Sequence, residues 1–468
     1  MTPRTILKKY FAYEAFRGIQ ETVIKKILSG ENALVIMPTG SGKSIIYQVP
    51  ALMLKGLTVV ISPLIALMKD QVDGLRKKNI DAVFINSSLA KKEREARYKG
   101  IADGKYKLLY VTPERFRKKE FAHVLKKRTI SLLAVDEAHC ISEWGHDFRP
   151  DYTRLKEFRE LMGNPVTVAL TATATPEVQK DIVRQLGLVP DETALYHEGI
   201  ERPNLSLDTV DLWGEDEKRD RIIKIVKEHP GSGIVYFSLI KELEAMSEKL
   251  SAKGIVHHVY HGRLDARERK YIQDQFMKGP DNLILATNAF GMGIDKEAIR
   301  FVIHAEIPGS LESYYQEIGR AGRDGKPSVC VLLYDQQDLD IQMEFIRWNN
   351  PGVEFYFRAY NLLKTESQRV NGEGLDFFKE QLTYKNRRDY RAETVLSIFE
   401  RYGVTEGSLD KKNIRIVAAL PEALSDQAHL DIKMKKEQEK LYKMMQYARL
   451  DEGRKAFIHH YFGIDKIK

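Results

Sequence analysis

The chain has 468 residues, which at roughly 150 residues per domain points to about three domains. Its 43% hydrophobic and 30% charged residues give each a core to bury and exclude disorder throughout. Lys and Arg outnumber Asp and Glu by 74 to 66, a net charge of +8 that suits a polyanionic partner without naming one. Two cysteines, Cys140 and Cys330, exclude a disulfide framework and a four-cysteine zinc site. The longest apolar stretch, 56–68, contains Ser62 and Pro63 and falls short of the ~20 residues of a membrane-spanning helix. MTPRTILKKYFAYEAF at the start has no apolar signal region. The expectation is a soluble, cytoplasmic protein of a reducing compartment, with no membrane association.

In chain order, short β-branched runs come first: ALVIM (33–37), LTVVIS (57–62), DAVFI (81–85), KLLYV (107–111), LLAVD (132–136) and VTVAL (166–170). Stretches of helical periodicity, such as 64–75, lie between them. Strands uninterrupted by polar residues are buried on both faces, as in a parallel sheet with helical crossovers. After a connector, GIERPN (199–204), the alternation restarts with GIVYFS (233–238), VHHVY (256–260), NLILAT (282–287), FVIHA (301–305) and SVCVLLY (328–334). The fold class is α/β: two tandem, doubly wound parallel-sheet lobes with a cleft between them, where ligands commonly bind.

Beyond about 339 the alternation stops. Residues 340–400 read as mostly helical, with turn signals NNPG (349–352) and NGEG (371–374). ETVLSIFERYG (393–403) and IRIVAAL (414–420) read as helix and strand of a small winged-helix-like unit. A long amphipathic helix, 426 to about 449, presents Leu430, Met434, Leu441, Met445 and Ala448 on one side, a core-facing stripe. Residues 355–468 hold 22 Lys and Arg against 17 Asp and Glu, so most of the positive excess lies there. The expected domains are 1–200, 201–338 and 339–468.

Three elements carry chemistry. PTGSGKS (38–44) joins a buried strand to a helix, so backbone N–H groups and the helix N-terminus face a phosphate. Thr39, Gly40, Ser41 and Gly42 form the turn; Lys43 reaches the outer phosphates and Ser44 takes a Mg²⁺ position. Met37 stands where the strict phosphate-loop pattern has Gly. In LLAVDEAH (132–139), two carboxylates at an apolar strand end are costly without a cation. Asp136 holding Mg²⁺ and Glu137 polarising water account for both. In YYQEIGRAGRDG (314–325), Arg320 and Arg323 share one face and can stabilise charge on a transferring phosphoryl group.

PTGSGKS, DEAH and QEIGRAGR in this order resemble superfamily 2 helicases, with RecA-like lobes. FRGIQ (16–20), SPLIALMKDQ (62–71), TPER (112–115), AVDEAHCISEWGHDFRPDY (134–152), LTATAT (170–175), ATNAFGMGIDK (286–296) and SYYQEIGRAGRDG (313–325) narrow the resemblance to RecQ ATP-dependent DNA helicases over roughly 10–338. It implies adenine recognition by Gln20 with Arg17, nucleotide contacts from Gly293 and Asp295, and coupling roles for Gln316 and Thr287.

The segment HCISEWGHDFRP (139–150) puts Trp144, Phe148 and Arg149 in one loop, where rings can stack on unpaired bases; the plainer alternative is packing between the lobes. The resemblance implies a loop that senses single-stranded DNA, with His139 linking it to the ATP site and His146 serving loop structure. YHGRL (260–264) and TNAFGMG (287–293) resemble backbone-binding and coupling motifs.

Relatives of this kind carry a four-cysteine zinc module after the lobes. Residues 437–463 resemble its helical part, with GRK (453–455) in place of a first cysteine, so no zinc is expected. The expected function is an ATP- and Mg²⁺-dependent 3′-to-5′ DNA helicase, a monomeric motor on single-stranded and forked or tailed DNA in repair or recombination. The alternatives are an RNA remodeller and a DNA-binding switch, translocase or scaffold without efficient unwinding.

Overall fold

The computed structural model describes residues 1–63, 65–86, 89–145, 148–199, 202–279, 281–291, 294, 296–383 and 389–464. The first lobe is a seven-stranded sheet. Its strands are β1 (Asn32–Ile36), β2 (Leu57–Ile61), β3 (Ala82–Ile85), β4 (Leu108–Val111), β5 (Ile130–Val135), β6 (Val166–Thr171) and β7 (Thr193–His197), in the order β3-β4-β2-β5-β6-β1-β7. The second has six: β8 (Leu205–Asp211), β9 (Ser232–Tyr236), β10 (His258–Tyr260), β11 (Leu283–Ala286), β12 (Ile299–His304) and β13 (Ser328–Tyr334), in the order β10-β11-β9-β12-β13-β8. Every pairing in both sheets is parallel.

The expected central strands form because their β-branched runs are buried on both faces; β2, β9 and β11 have no exposed position. Two strands were not expected, β7 and β8. Both are edge strands with partly exposed faces, so neither shows a continuous apolar run. Parallel order places the carboxyl ends of the strands, and the loops that follow them, on one side of each lobe, where ligands bind in open α/β sheets.

The tail has a core of its own, built by the helices Val353–Thr365, Ser367–Glu373, Leu375–Thr383 and Arg391–Arg401. After the last comes a short antiparallel hairpin, β14 (Thr405–Glu406) with β15 (Arg415–Ile416), so the expected strand over 414–420 shrinks to two residues. NGEG (371–374) is not a free turn: the helix Ser367–Glu373 runs through it and ends at Gly374. The Asn371 amide explains this, since it donates to Ser367 O and Ile414 O and accepts from Ile414 N–H at 2.8 to 2.9 Å.

The long helix is Gln427–Ala448, with Asp426 accepting the Ala428 N–H as N-cap. Its buried residues are Leu430, Leu441, Met444, Tyr447 and Ala448; Met434 and Met445 of the expected stripe are only half-buried. The stripe therefore breaks in the middle, because the two ends of the helix enter different cores.

The helix Asp338–Asn349, which leads from lobe 2 into the tail, is held at its first residue by a buried ion pair, Lys218 Nζ to Asp338 Oδ1 at 2.6 Å, with both side chains at most 3% exposed. Asp338→Ala leaves the ammonium buried with only the more exposed Glu215 beside it. This is expected to cost about 3–5 kcal/mol, read as a lowered thermal unfolding midpoint.

Candidate nucleotide site and DNA-facing loop

The phosphate loop follows β1. Gly40 and Gly42 have φ of +81° and +80°, a region that L side chains rarely adopt. The loop then enters the helix Ile45–Met53. Gln20, 4% exposed, donates from Nε2 to Ser41 O (3.0 Å) and Gly42 O (3.2 Å), while its Oε1 accepts the Arg17 N–H (3.0 Å). Its amide therefore braces the loop from behind. Lys43 Nζ donates to Met37 O at 3.2 Å, and burial holds its pKa down against the pull of Glu137 and Asp136.

Asp136 and Glu137 follow β5. Burial, then the neighbouring Glu137 charge, pushes Asp136 up to about 7, with Lys43 opposing. Glu137 is non-glycine at φ +47°, ψ +49°, a left-handed conformation stored at this one point of the acidic motif. Its Oε2 is buried without a hydrogen bond, 3.4 Å from His139 Nδ1. His139, 1% exposed, shares a 2.9 Å hydrogen bond from Nδ1 to Thr171 Oγ1 at the end of β6. Thr171 Oγ1 donates to Thr173 O (3.1 Å), and Gln316 Nε2 reaches Thr173 Oγ1 (3.3 Å) from the other lobe.

Gln316 lies on the lobe 2 helix Leu311–Ile318, and the two arginines follow it. Arg320 Nη1 donates to Gly291 O, and Arg323 Nη1 to Ile294 O at 2.8 Å. A Cβ on Gly40 would stand 3.1 Å from Arg323 Cδ, so the arginine lies against the phosphate loop. The result is one cleft of about 310 Å³ between the lobes. Thr39, Lys43, Ser44, Asp136, Glu137 and Gln316 line it with Arg17, Arg320 and Arg323. Gly293 and Asp295 lie outside the described residues.

An orphaned buried carboxylate oxygen, a second buried carboxyl and a glycine turn beside a lysine fit a phosphate chain with a divalent cation. Among the described residues no group of three or more His, Cys, Asp or Glu is placed to hold a metal alone, and no helix is long and apolar enough to cross a membrane.

The residues expected to meet DNA are arranged differently from a free stacking platform. The half-buried Trp144 ring packs against the lobe 1 core, and the Lys436 ammonium lies over it, 4.2 Å from its centroid. Phe148 is half-buried. Arg149 Nη1 donates to Pro63 O at 3.2 Å, stitching the loop to the segment after β2. His146 lies outside the described residues. Thr287 is buried inside lobe 2, its N–H bonded to Tyr260 O (3.1 Å), and does not line the nucleotide cleft.

Sequence reasoning missed Tyr13, whose 49% exposed ring borders the nucleotide cleft beside Arg17. It also missed a second cleft of about 430 Å³, where Ser238, Asn288 and Glu306 of lobe 2 face Gly145 and Lys440. A tyrosine ahead of FRGIQ was the available signal for the first; nothing local marks the second, which joins six separate segments.

Comparison with known proteins sharpens this picture. A DEAD/DEAH box helicase family model matches residues 17–182, and a helicase conserved C-terminal domain model matches 217–325. The chain is 48% identical to the ATP-dependent DNA helicase RecQ of Bacillus subtilis, over 72% of this chain and 57% of that protein. It is 40% identical to the probable ATP-dependent DNA helicase RecS of the same organism, over 78% of this chain and 73% of that one. The chain belongs to the RecQ helicase family.

This RecQ family member spans a little over half the length of the RecQ proteins it matches, 53–57%. Among solved structures, S. cerevisiae Dbp5 bound to RNA and ADP BeF3 is similar with a TM-score of 0.58 at 20% identity, covering 73% of this chain and 90% of that one. That likeness shows the shared two-lobe RecA-like fold.

Glu306 in the second cleft supplies a pH test. It is 3% exposed, accepts the Ser238 N–H at 2.8 Å, and is pushed by burial from 4.5 up to about 8. A carboxyl that holds its proton more tightly when folded withdraws stability as pH climbs from about 4.5 to about 8. Glu306→Gln keeps an acceptor without the charge. It is expected to raise the thermal midpoint relative to the parent at a pH of about 9 and to leave it nearly unchanged at about 4.

Proposed function

We propose that this chain is a DNA-stimulated ATPase that moves 3′-to-5′ along single-stranded DNA and separates duplexes, as a monomeric motor. The observation that carries it is the single cleft in which the phosphate loop and acidic pair of lobe 1 meet the arginines of lobe 2, with Gln316 bonded across to Thr173. The names of the relatives favour DNA over RNA: those at 40–48% identity are called DNA helicases, whereas the RNA-bound structure is similar in fold alone. We assign residues 1–200 and 201–338 to the two motor lobes and 339–468 to an accessory region. Two buried cysteines that form no disulfide suit a reducing cytoplasm.

Bound Mg²⁺-ATP supplies the phosphoanhydride and a cation that polarises it. The N–H groups of residues 40–44 and Lys43 would hold the phosphates; Ser44 and Asp136 would hold the cation. Glu137 orients a water and takes its proton, with His139 fixing the carboxylate. Arg320 and Arg323 stabilise charge developing on the transferred phosphoryl group, so turnover requires the lobes to be together. Tyr13 and Arg17 would flank the base, with Gln20 holding the loop beneath it. The His139–Thr171–Thr173–Gln316 path gives the acidic motif a connection to lobe 2, and lobe closure and reopening alternate the grip on the strand. Gly293 and Asp295 belong to this assignment as lobe 2 contacts to the nucleotide, and Thr287 as a coupling residue.

The test is ATP-dependent strand separation on 3′-tailed and 5′-tailed duplexes, beside ATPase assays with single-stranded DNA and RNA. Separation of the 3′-tailed duplex alone and stimulation by DNA are expected. Lys43→Ala should lower turnover by at least about 100-fold, the scale of losing a dominant electrostatic group, while DNA binding persists. Normal hydrolysis by that variant overturns the nucleotide assignment. Hydrolysis without strand separation leaves a translocase or switch; stronger stimulation by RNA replaces the DNA reading.

A further inference from the structure

The helix Gln427–Ala448 is seated by buried side chains at both ends but not in between, where Glu437 Oε2 accepts a hydrogen bond from Asn350 Nδ2 at 2.7 Å. Leu430 sits in the tail core, and Met444, Tyr447 and Ala448 in the core of lobe 2. From Asp431 to Lys440 no side chain is buried. This half of the helix crosses the lobe 1 loop that carries Trp144, and it does so through polar contacts. His429 Nε2 lies 3.3 Å from Glu143 Oε2, and Lys440 Nζ donates to Gly145 O at 3.0 Å. Lys436 covers the Trp144 ring and pairs with Glu177.

These contacts are built to be reversible. The Glu177 side chain is 58% exposed and that of Lys436 28%, so water and salt compete for the pair. Because both ends stay seated in separate cores, letting go of the loop uncovers no fully buried apolar side chain of the crossing segment. A ring face under an ammonium is also the face on which an unpaired base would stack, and an aromatic face cannot take both.

We propose that Lys436 and Lys440 are positioning residues that hold the Trp144 loop with one indole face covered, and that a single DNA strand must displace them before a base stacks there. They set how much DNA the ATPase needs, not how fast it turns over. The inference rests on the DNA reading above and deepens it by naming what opposes DNA at this loop.

The test measures ATPase activity against single-stranded DNA concentration in the full chain. Lys436→Ala is expected to lower the half-saturating DNA concentration at least threefold, with turnover at zero and at saturating DNA within twofold of the parent. Lys436→Arg, which keeps a cation over the ring and a partner for Glu177, restores the parent value. A rise in the half-saturating concentration makes Lys436 a DNA ligand and overturns the proposal; no change overturns it too. A readout independent of DNA uses a Trp213→Phe, Trp348→Phe background, where Trp144 is the remaining tryptophan of three. Adding Lys436→Ala should increase acrylamide quenching of its fluorescence, and unchanged quenching overturns the covered ring. Absence of DNA stimulation in the parent would sink the functional reading, while the quenching result would still decide the cover.

Discussion

Two half-buried carboxyl groups side by side at the end of β5 are the constraint around which this molecule is arranged. Asp136 and Glu137 sit where an all-parallel sheet gathers its loops, and both line the cleft between the lobes. Burial raises Asp136, and Lys43 offsets only part of that cost. The strained left-handed backbone at Glu137 leaves an unbonded oxygen facing the cleft. Such an arrangement persists because its surroundings over-determine it: Asp136 N–H is fixed to Ile61 O, and His139 is pinned between Glu137 and Thr171. Catalytic utility and local instability here have the same origin.

That constraint also explains why the second lobe belongs to the site. Lobe 1 sets two cations, Lys43 and Arg17, beside its two carboxyls, and the further positive charge at the cleft comes from Arg320 and Arg323 of lobe 2. The helix Leu311–Ile318 that carries Gln316 is clamped from behind by the tail. Tyr314 Oη meets Tyr447 Oη at 3.1 Å, Tyr461 Oη donates to Glu312 Oε1 at 2.9 Å, and Phe462 packs on Tyr315. Helices that resemble a zinc module thus hold their place by aromatic packing and hydroxyl bonds. The other end of the tail reaches lobe 1, where Arg117 pairs with Asp151 and donates to Arg401 O at 2.9 Å. The tail is therefore in contact with the loop that carries Trp144 and with the helix that precedes Arg320 and Arg323 at once.

Legibility in the sequence tracked how local each cause was. The central strands announced themselves because burial on both faces demands unbroken apolar runs, and the phosphate loop because a tight left-handed turn demands glycine. Edge strands β7 and β8 stayed hidden, since a half-exposed strand carries a mixed pattern. NGEG misled because the compensation for glycine in a helix, the Asn371 amide, bonds to residue 414, far along the chain.

The site residues divide in the same way. Short motifs single out the residues proposed for phosphate, cation and water chemistry, because that chemistry needs particular groups at fixed spacing, and their order along the chain carries the family resemblance. Only the tertiary structure decided which of them meet. It brought Arg323 to Gly40 and Gln316 to Thr173, turned the Gln20 amide onto the loop, and kept Thr287 away from the cleft. It also laid Lys436 over Trp144, a contact between residues 292 positions apart that no local pattern encodes. The physical reason is that chemistry is a property of side chains, whereas access to a ring face or a charge depends on what packs against it.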